Sequence, residues 1–309
     1  MNTDNLNNDF QINENFKAGY VTIFGEPNVG KSTLMNAILN TKLSITTSKP
    51  QTTRRKILGI YSDNEAQIVF LDTPGLIEPR YLLQEKMVEA IHTALDECDI
   101  ILAVVDVSSK VLKNFESKLI PLLIPFSGKK NIFLVINKID LTTKEEVLQI
   151  IDSMKDKFKF DEIVPLSALH QFNVQELTST IKKYLPVHPP YFPVDILSQE
   201  PIRFFIGEII REKIFEAYQD EIPYSTEVVV VEYKEREKGK DYINAEIYVE
   251  RESQKKIIIG KDGQALKRVG EKARKEIENF VGKGVYLELY VKVRENWRDN
   301  PRWMKTFGY

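Results

Sequence analysis

Residues 20–32 read YVTIFGEPNVGKS, and this stretch decides the fold. Its first five residues have the apolar, β-branched character of a buried strand, and residues 25–32 then fit G-x-x-x-x-G-K-[ST] ahead of a helical pattern. Gly25 and Gly30 let the backbone curl so that successive amide N–H groups converge on phosphate oxygens. Lys31 supplies a positive charge toward the β and γ phosphates, and Ser32 offers a hydroxyl to Mg²⁺. The alternative is a chance glycine loop.

Short apolar runs alternate with helical patterns as far as residue 185. The runs that predict strands are residues 20–24, 67–72, 99–106, 131–137 and 162–168, and helices fit residues 81–97 and 144–158. This alternation predicts right-handed βαβ units and a mainly parallel, doubly wound sheet, an α/β fold. Residues 56–62 precede the second run with only a short turn between them, so we expect one antiparallel edge strand.

Two further motifs follow predicted strands. Asp72-Thr73-Pro74-Gly75 ends the second run, where the Asp72 carboxylate can hold Mg²⁺ through water. Gly75 leaves its backbone N–H free to approach the γ-phosphate. Residues 167–169, Ser-Ala-Leu, end the last run, where a backbone N–H can meet the guanine O6.

Asn137-Lys138-Ile139-Asp140 closes the fourth run and indicates which base is read. A carboxylate at Asp140 can accept hydrogen bonds from both guanine N1–H and the exocyclic amine. Adenine lacks that pair of donors, so the wrong base would leave a buried partner unpaired.

Four such motifs in this order, each at the carboxyl end of a strand, predict a guanine nucleotide site that holds GTP or GDP with Mg²⁺. Lys31, Thr53 and Gly75 are the residues expected to act in hydrolysis. The residues expected to contact nucleotide are Gly25, Glu26, Pro27, Asn28, Val29, Gly30, Lys31, Ser32, Asp72, Thr73, Pro74, Gly75, Leu76, Asn137, Lys138, Ile139, Asp140, Ser167, Ala168 and Leu169.

The C-terminal part has a different pattern. A helix, two strands, two helices and a strand are predicted in the order αββααβ, and Gly260-Lys261-Asp262-Gly263 lies between the two central helices. This G-x-x-G turn resembles the KH-domain loop that clamps a nucleic-acid backbone. Residues 227–309 carry 19 Lys and Arg against 15 Asp and Glu, although the whole chain has a net charge of −2. The candidate RNA-binding residues are Lys255, Lys256, Gly260, Lys261, Asp262, Gly263, Lys267 and Arg268. A tight turn beside a solvated helix face is the alternative.

Beyond these motifs, SKPQTTRRKILGIY (48–61) resembles the first switch of the Era family of GTPases, and VKVRENWRDNPRWMKTFGY (291–309) resembles its C-terminus. The resemblance runs from residue 19 to residue 309. It implies an Era-type G domain over residues 19–185 and a type II KH domain over 201–309. The prolines of residues 186–200 predict a semi-rigid linker between the two domains, and the Asn-rich, polar composition of residues 1–18 predicts a disordered N-terminal arm.

The resemblance also implies a role for three positions. In relatives a threonine of the first switch coordinates Mg²⁺ when GTP is bound. Thr52 and Thr53 both fit, and we prefer Thr53 as the third candidate Mg²⁺ ligand, in addition to Ser32 and Asp72. Ras-like GTPases place a glutamine after the glycine of the DxxG motif to orient water, but this chain has Leu76 there. Asn28 matches the asparagine with which some relatives bind K⁺ near the phosphates; a turn-forming Asn is the alternative.

The function that the family resemblance implies is binding to the 3′ region of small-subunit ribosomal RNA and assembly of the small ribosomal subunit, by a monomer. One rival is a non-enzymatic RNA chaperone whose G domain only senses nucleotide. A second is a GTPase that uses its basic face on anionic lipid, peripheral on the inner face of the cell membrane.

The N-terminal residues and the cysteine content indicate the cellular compartment in which we expect the protein. Residues 1–17 are Asn-rich and polar, without the basic start and apolar core of a secretory signal. One cysteine, Cys98, leaves no internal disulfide framework and fits a reducing compartment. We therefore expect a cytoplasmic protein.

Overall fold

The computed structural model describes residues 14–309, and within them the N-terminal domain is built around a six-stranded sheet. Its helices and strands are β1 Lys17–Gly25, α1 Lys31–Leu39, β2 Ile57–Ser62, β3 Ala66–Asp72, α2 Leu82–Glu97, β4 Ile100–Asp106, α3 Ser109–Asn114, α4 Ile120–Leu123, β5 Asn131–Asn137, α5 Lys144–Lys155, β6 Glu162–Pro165 and α6 Val174–Tyr184.

The strand order is β2-β3-β1-β4-β5-β6, with every neighbour parallel except β2, which runs antiparallel to β3. The β2–β3 turn is short because the Asp63 carboxylate accepts hydrogen bonds from the N–H groups of Glu65 and Ala66, each at 3.0 Å. All residues of β3 and β4 are buried, since helices cover both faces of the sheet. The predicted α/β fold with one antiparallel edge strand is confirmed.

The N-terminal arm predicted over residues 1–18 extends too far along the chain. Residues 1–13 lie outside the described part of the chain, but β1 begins at Lys17, paired with Ala66, and Phe16 before it is buried. The residues Lys17-Ala18-Gly19 contain no β-branched side chain, so the strand pattern became visible only from Tyr20. The last strand also ends earlier than predicted, at Pro165, and leaves Ser167 in the loop beyond it.

The Pro-rich linker lies along the N-terminal domain. The Gln67 carboxamide oxygen accepts hydrogen bonds from the backbone N–H groups of Tyr191 and Phe192. Farther along, the Ile60 N–H of the edge strand β2 donates to the Leu197 carbonyl at 2.8 Å. The linker is therefore fixed to the sheet at several points, through partners distant in sequence.

The C-terminal domain consists of α7 Ile202–Ala217, β7 Glu227–Lys234, β8 Asp241–Val249, α8 Glu252–Ile259, α9 Gln264–Val281, β9 Val285–Val293 and α10 Pro301–Phe307. Its sheet has the order β7-β8-β9, with β7 antiparallel and β9 parallel to β8. The predicted αββααβ order is confirmed, with α10 added after it.

Helix α7 is buried along most of its length. Every residue from Phe205 to Phe215 is buried, including the charged side chains of Glu208, Arg211, Glu212 and Lys213. The helix packs on β7 and α9 on one side, and its Arg211 and Glu212 side chains bind the N-terminal domain on the other. Its polar face is thus an interface between domains, which a pattern of polar residues alone does not distinguish from a solvent-facing surface.

Candidate nucleotide site and nucleic-acid interface

The phosphate loop between β1 and α1 has a backbone that only particular residues permit. Gly30 has φ 96°, in the left-handed region, and a Cβ there would lie 2.3 Å from Nδ2 of Asn137. Across the loop, a Cβ on Gly75 would lie 2.7 Å from the Cα of Pro27. These two glycines let the DTPG segment and the NKID asparagine approach the phosphate loop closely.

Lys31 at the start of α1 is buried, and its ammonium donates to the carbonyls of Gly25 at 3.2 Å and Glu26 at 2.9 Å. Burial lowers the pKa of Lys31 to about 8, against the opposing effects of the Asp72 and Glu26 carboxylates. A nearby anion would favour its charged form.

Ser32, Thr53 and Asp72 come together at the end of β3. The Ser32 hydroxyl donates to Asp72 Oδ2 at 2.7 Å and lies 3.0 Å from Oγ1 of Thr53. Burial raises the pKa of Asp72, although the hydrogen bond from Ser32 opposes the rise. The other oxygen, Asp72 Oδ1, is buried without a hydrogen-bond partner. Two hydroxyls beside an unpaired carboxylate oxygen are a donor set that suits Mg²⁺.

The two threonines of the first switch have different surroundings. Thr52 turns its hydroxyl to the carbonyl of Lys49 at 2.9 Å, away from this cluster, whereas Thr53 joins it. Of the two threonines, Thr53 is the one that lies beside Ser32 and Asp72.

The base-reading motifs are held together by Asn137. Its Nδ2 donates to the Val29 carbonyl at 2.9 Å, and its Oδ1 accepts from the N–H of Ala168 at 3.0 Å. The hydroxyl of Ser167 donates to Asp140 Oδ1 at 2.5 Å. The phosphate loop, the NKID motif and the Ser-Ala-Leu loop therefore form one connected structure.

Lys138 links the same region to a residue that the sequence did not single out. Its ammonium donates to the Asn28 carbonyl at 2.6 Å and to Asp106 Oδ2 at 2.8 Å. Burial by itself would raise the pKa of Asp106, but hydrogen bonds from Lys138 and Ser108 lower it. The position of Asp106 at the carboxyl end of the third predicted strand was the available signal.

The cleft formed by these loops has a volume of about 550 Å³. It is lined by Pro27, Asn28, Gly30, Lys31, Ser32, Thr33, Ile45, Thr46, Thr47, Ser48, Gln51, Thr52, Thr53, Gly75, Lys138 and Leu169.

Asn28 has φ 65° and donates from Nδ2 to the Ser48 carbonyl at 3.0 Å, which connects the phosphate loop to the first switch. Leu76 is partly buried and packs against the apolar cluster beneath α2. Thr73 is fully buried, and its hydroxyl donates to the Ile23 carbonyl at 2.8 Å.

The G-x-x-G turn between α8 and α9 has three positive φ angles, 71° at Gly260, 51° at Asp262 and 73° at Gly263. A Cβ at Gly260 would lie 2.6 Å from Cβ of Ala265, so this glycine is needed for the turn itself. Lys256, Lys261, Lys267 and Arg268 are exposed around it and Lys255 is partly buried. Within residues 14–309 none of these five has a carboxylate within ion-pair distance, so their charges are available to a polyanion.

The first switch (residues 48–61) is bound to the C-terminal domain by buried charges that the sequence did not reveal. The Arg54 guanidinium donates to Glu227 at 3.1 Å and to the Thr226 and Pro223 carbonyls. Arg211 of α7 donates to the Thr52 carbonyl at 2.7 Å. Burial by itself would raise the pKa of Glu227, but the two arginines lower it.

The second switch segment, residues 75–81, and the start of α2 contact the same domain. The Leu82 N–H donates to Asp299 at 3.0 Å, and the Arg298 guanidinium lies 4.6 Å from the ring centre of Tyr81. Leu83 and Met87 pack in one apolar cluster with Tyr248, Trp297, Met304 and Phe307. The first switch and the second switch segment therefore border both the nucleotide cleft and the C-terminal domain.

A strand–loop–helix phosphate site with DTPG, NKID and SAL motifs, followed by a G-x-x-G domain, defines a GTPase that carries a KH domain. Family comparison agrees: residues 20–138 match the family described as a 50S ribosome-binding GTPase, and residues 221–298 match the KH domain.

The relatives narrow the class. The chain is 47% identical to GTPase Era of Geotalea uraniireducens (strain Rf4), over 95% of this chain and 98% of that one, and 48% identical to GTPase Era of Geobacter metallireducens over the same shares. It also resembles the crystal structure of a variant of Aquifex aeolicus Era bound to GDP·AlF4⁻, with a TM-score of 0.88, 43% identity and 95% and 99% of the two chains covered. The chain belongs to the Era family of GTPases.

Proposed function

We propose that this GTPase binds small-subunit ribosomal RNA through its KH domain, at the 3′ region, and acts in assembly of the small ribosomal subunit. One supporting observation is a crystal structure of Era in complex with MgGDPNP and nucleotides 1506–1542 of 16S ribosomal RNA, which matches this chain with a TM-score of 0.88 at 43% identity. The observation on this chain that carries the proposal is the Gly260–Gly263 turn, with its three positive φ angles, among cations that have no ion-paired carboxylate within residues 14–309.

The test reverses the charge of this turn. Lys261→Asp keeps both glycines and places a second carboxylate beside Asp262, where RNA phosphates would lie. Affinity for single-stranded RNA should collapse, whereas thermal unfolding and basal GTP hydrolysis stay near wild type. Lys129→Asp, the same charge change on an exposed turn of the G domain, is the control and should bind RNA normally. Undiminished RNA binding by Lys261→Asp would leave the turn with a structural role only.

The roles of the nucleotide-site residues belong to the same proposal. Lys31 and the loop from Gly25 to Ser32 would cradle the phosphates, and Ser32, Thr53 and Asp72 would hold Mg²⁺, which neutralises phosphate charge when bound. The unpaired Asp72 oxygen supports this assignment. Lys31→Ala should lose binding of a fluorescent GDP analogue; retained binding would contradict the assignment.

A potassium ion near Asn28 is the second cation of the proposal. The position of Asn28 between the phosphate loop and the first switch supports it. GTP turnover should rise when K⁺ replaces Na⁺, and Asn28→Ala should remove the difference. Equal rates of the wild type in the two salts would exclude this role.

We also propose that the protein acts as a cytoplasmic monomer. No helix of residues 14–309 combines the length and the apolar character required to span a bilayer. Peripheral binding to the inner face of the membrane is the alternative; sedimentation with anionic liposomes in competition with RNA separates the two. Sedimentation equilibrium tests the monomer.

A further inference from the structure

GTP hydrolysis needs a group that orients the attacking water, and the position that serves this purpose in Ras-like GTPases cannot do so here. Leu76 follows Gly75, has no hydrogen-bonding atom in its side chain and packs into the apolar cluster beneath α2. Another polar side chain of the cleft can supply this group.

Gln51 of the first switch has the required chemistry and location. It lines the nucleotide cleft together with Gly75, Thr53 and Asn28. A carboxamide can accept a hydrogen bond from water through its oxygen and donate one to a phosphate oxygen through its nitrogen. Both functions are needed at the reacting centre, and a leucine side chain supplies neither.

The backbone at Gln51 is held in a conformation that a glutamine rarely adopts. Its φ is 59°, in the left-handed region. The following residue is fixed from outside the G domain, because Arg211 donates to the Thr52 carbonyl at 2.7 Å. Backbone strain maintained by surrounding contacts is characteristic of functional sites.

A second glutamine sets the direction of the Gln51 side chain. Gln84 of α2 is buried, and its Oε1 accepts the Arg80 N–H at 2.9 Å. Because the oxygen is committed to this donor, the nitrogen of Gln84 faces Gln51 and donates to its Oε1 at 3.2 Å. Within the described residues the Gln51 NH₂ has no acceptor, and its oxygen keeps one lone pair.

We propose that Gln51 is the catalytic residue that orients the attacking water, and that Gln84 is a positioning residue that acts through it. The inference rests on the nucleotide site proposed above. The water oxygen forms a bond to the γ-phosphorus, and the bond to the β,γ-bridging oxygen breaks with its electron pair remaining on GDP. The water protons leave on the released phosphate and to solvent. Gln51 belongs to the first switch and Gln84 to the helix after the second, so the group is aligned only when both are in place.

The principal test is Gln51→Gly, which removes the carboxamide and suits the positive φ, so folding is preserved. The single-turnover rate constant for GTP hydrolysis should fall on the order of a hundredfold, while the affinity for a fluorescent GDP analogue and the melting temperature remain at or above wild type. The matched control is Gln171→Gly, at an exposed glutamine with φ 55°, which should hydrolyse GTP normally. A rate constant within about threefold of wild type for Gln51→Gly would overturn the proposal. Such a change in the activation free energy is less than half of the roughly 1.4 kcal/mol that corresponds to a tenfold change in rate.

Gln84→Leu tests the positioning role. Alone it should slow hydrolysis, but combined with Gln51→Gly it should cause no further loss, because its effect passes through Gln51. An additive loss in the double variant would give Gln84 a separate structural role and overturn the coupling. An error in the assignment of the nucleotide site would give a different result from an error in the role of Gln51. If the nucleotide site were assigned wrongly, Lys31→Ala would still bind GDP.

Discussion

At the scale of single residues, base selection depends on a side chain that can only accept hydrogen bonds, an ionised carboxylate. Asp140 carries the choice of base. Its carboxylate is held by the Ser167 hydroxyl, so it presents a fixed pair of acceptor oxygens. An acceptor pair suits guanine, whose N1–H and exocyclic amine are adjacent donors.

Asp140→Asn should therefore weaken GTP binding and permit xanthine nucleotides, because the amide offers a donor where xanthine has an oxygen. Competition binding with GDP, XDP and ATP measures the change. Asp152→Asn, at an exposed position of α5, is the control and should keep the preference for GDP. Equal affinity of the wild type for ATP and GTP would show that the NKID assignment is wrong.

Lys31 makes nucleotide binding dependent on pH. Its pKa is about 8 in the free protein because it is buried, and phosphate oxygens would raise the value in the complex. A group whose pKa rises on binding contributes fully below the free value, and its contribution is lost as pH rises above it. GDP affinity should thus be constant from about pH 6.5 to 7.5 and fall above about pH 8. Titration calorimetry at constant ionic strength tests this, and an affinity that does not change up to pH 9 would contradict it.

At the scale of elements, helix α7 shows that a sequence pattern predicts where a helix begins and ends better than it predicts which surfaces the helix contacts. Spacing and capping residues predict where this helix lies, since they are local. Its polar residues lie against another domain, and no property of residues 202–217 specifies which surface they meet. The same limit applies to Asn137, Asp106 and Gln84, whose partners are distant in sequence.

The glycines and strand ends were predictable for the opposite reason. A phosphate loop, DTPG and NKID carry their chemistry in consecutive residues, and parallel strands bring their carboxyl ends to one edge of a sheet. The motif residues of the site could therefore be named before the fold was known. The links between them, and the glutamine pair, could not.

The ion pair within α7 should be important for stability. Arg211 and Glu208 are almost fully buried, at 2% and 9% side-chain exposure, and Arg211 also lies near the buried Glu227. Arg211→Met leaves the buried Glu208 carboxylate without its partner, and we expect a loss of about 3–5 kcal/mol. The control is Lys155→Met in α5, whose pair with Asp152 has the same i, i+3 spacing but is exposed and should cost less than about 1 kcal/mol. Urea denaturation of the GDP-bound protein measures both, and equal losses would contradict the assigned importance of burial.

At the scale of the whole molecule, both switches are bound to the KH domain, so a change of nucleotide should be detectable there. We expect hydrogen exchange at residues 223–227 and 297–309 to differ between the GDP state and a non-hydrolysable GTP analogue, because Arg54, Tyr81 and Leu82 contact these residues directly. Residues 236–240, at the exposed β7–β8 turn, serve as an internal control. Identical exchange in both states at all three segments would show that the two domains respond independently.

The linker along β2 has a consequence for the protein at high concentration. An edge strand with unpaired backbone groups is a template onto which another chain can add a strand, and aggregation follows. Here the Ile60 N–H is paired with the Leu197 carbonyl, and the Leu58 carbonyl accepts the Ser198 hydroxyl. Two of the backbone groups by which a neighbouring molecule would attach are therefore occupied. The segment that connects the two domains thus also covers the sheet edge against strand addition by a second folded molecule.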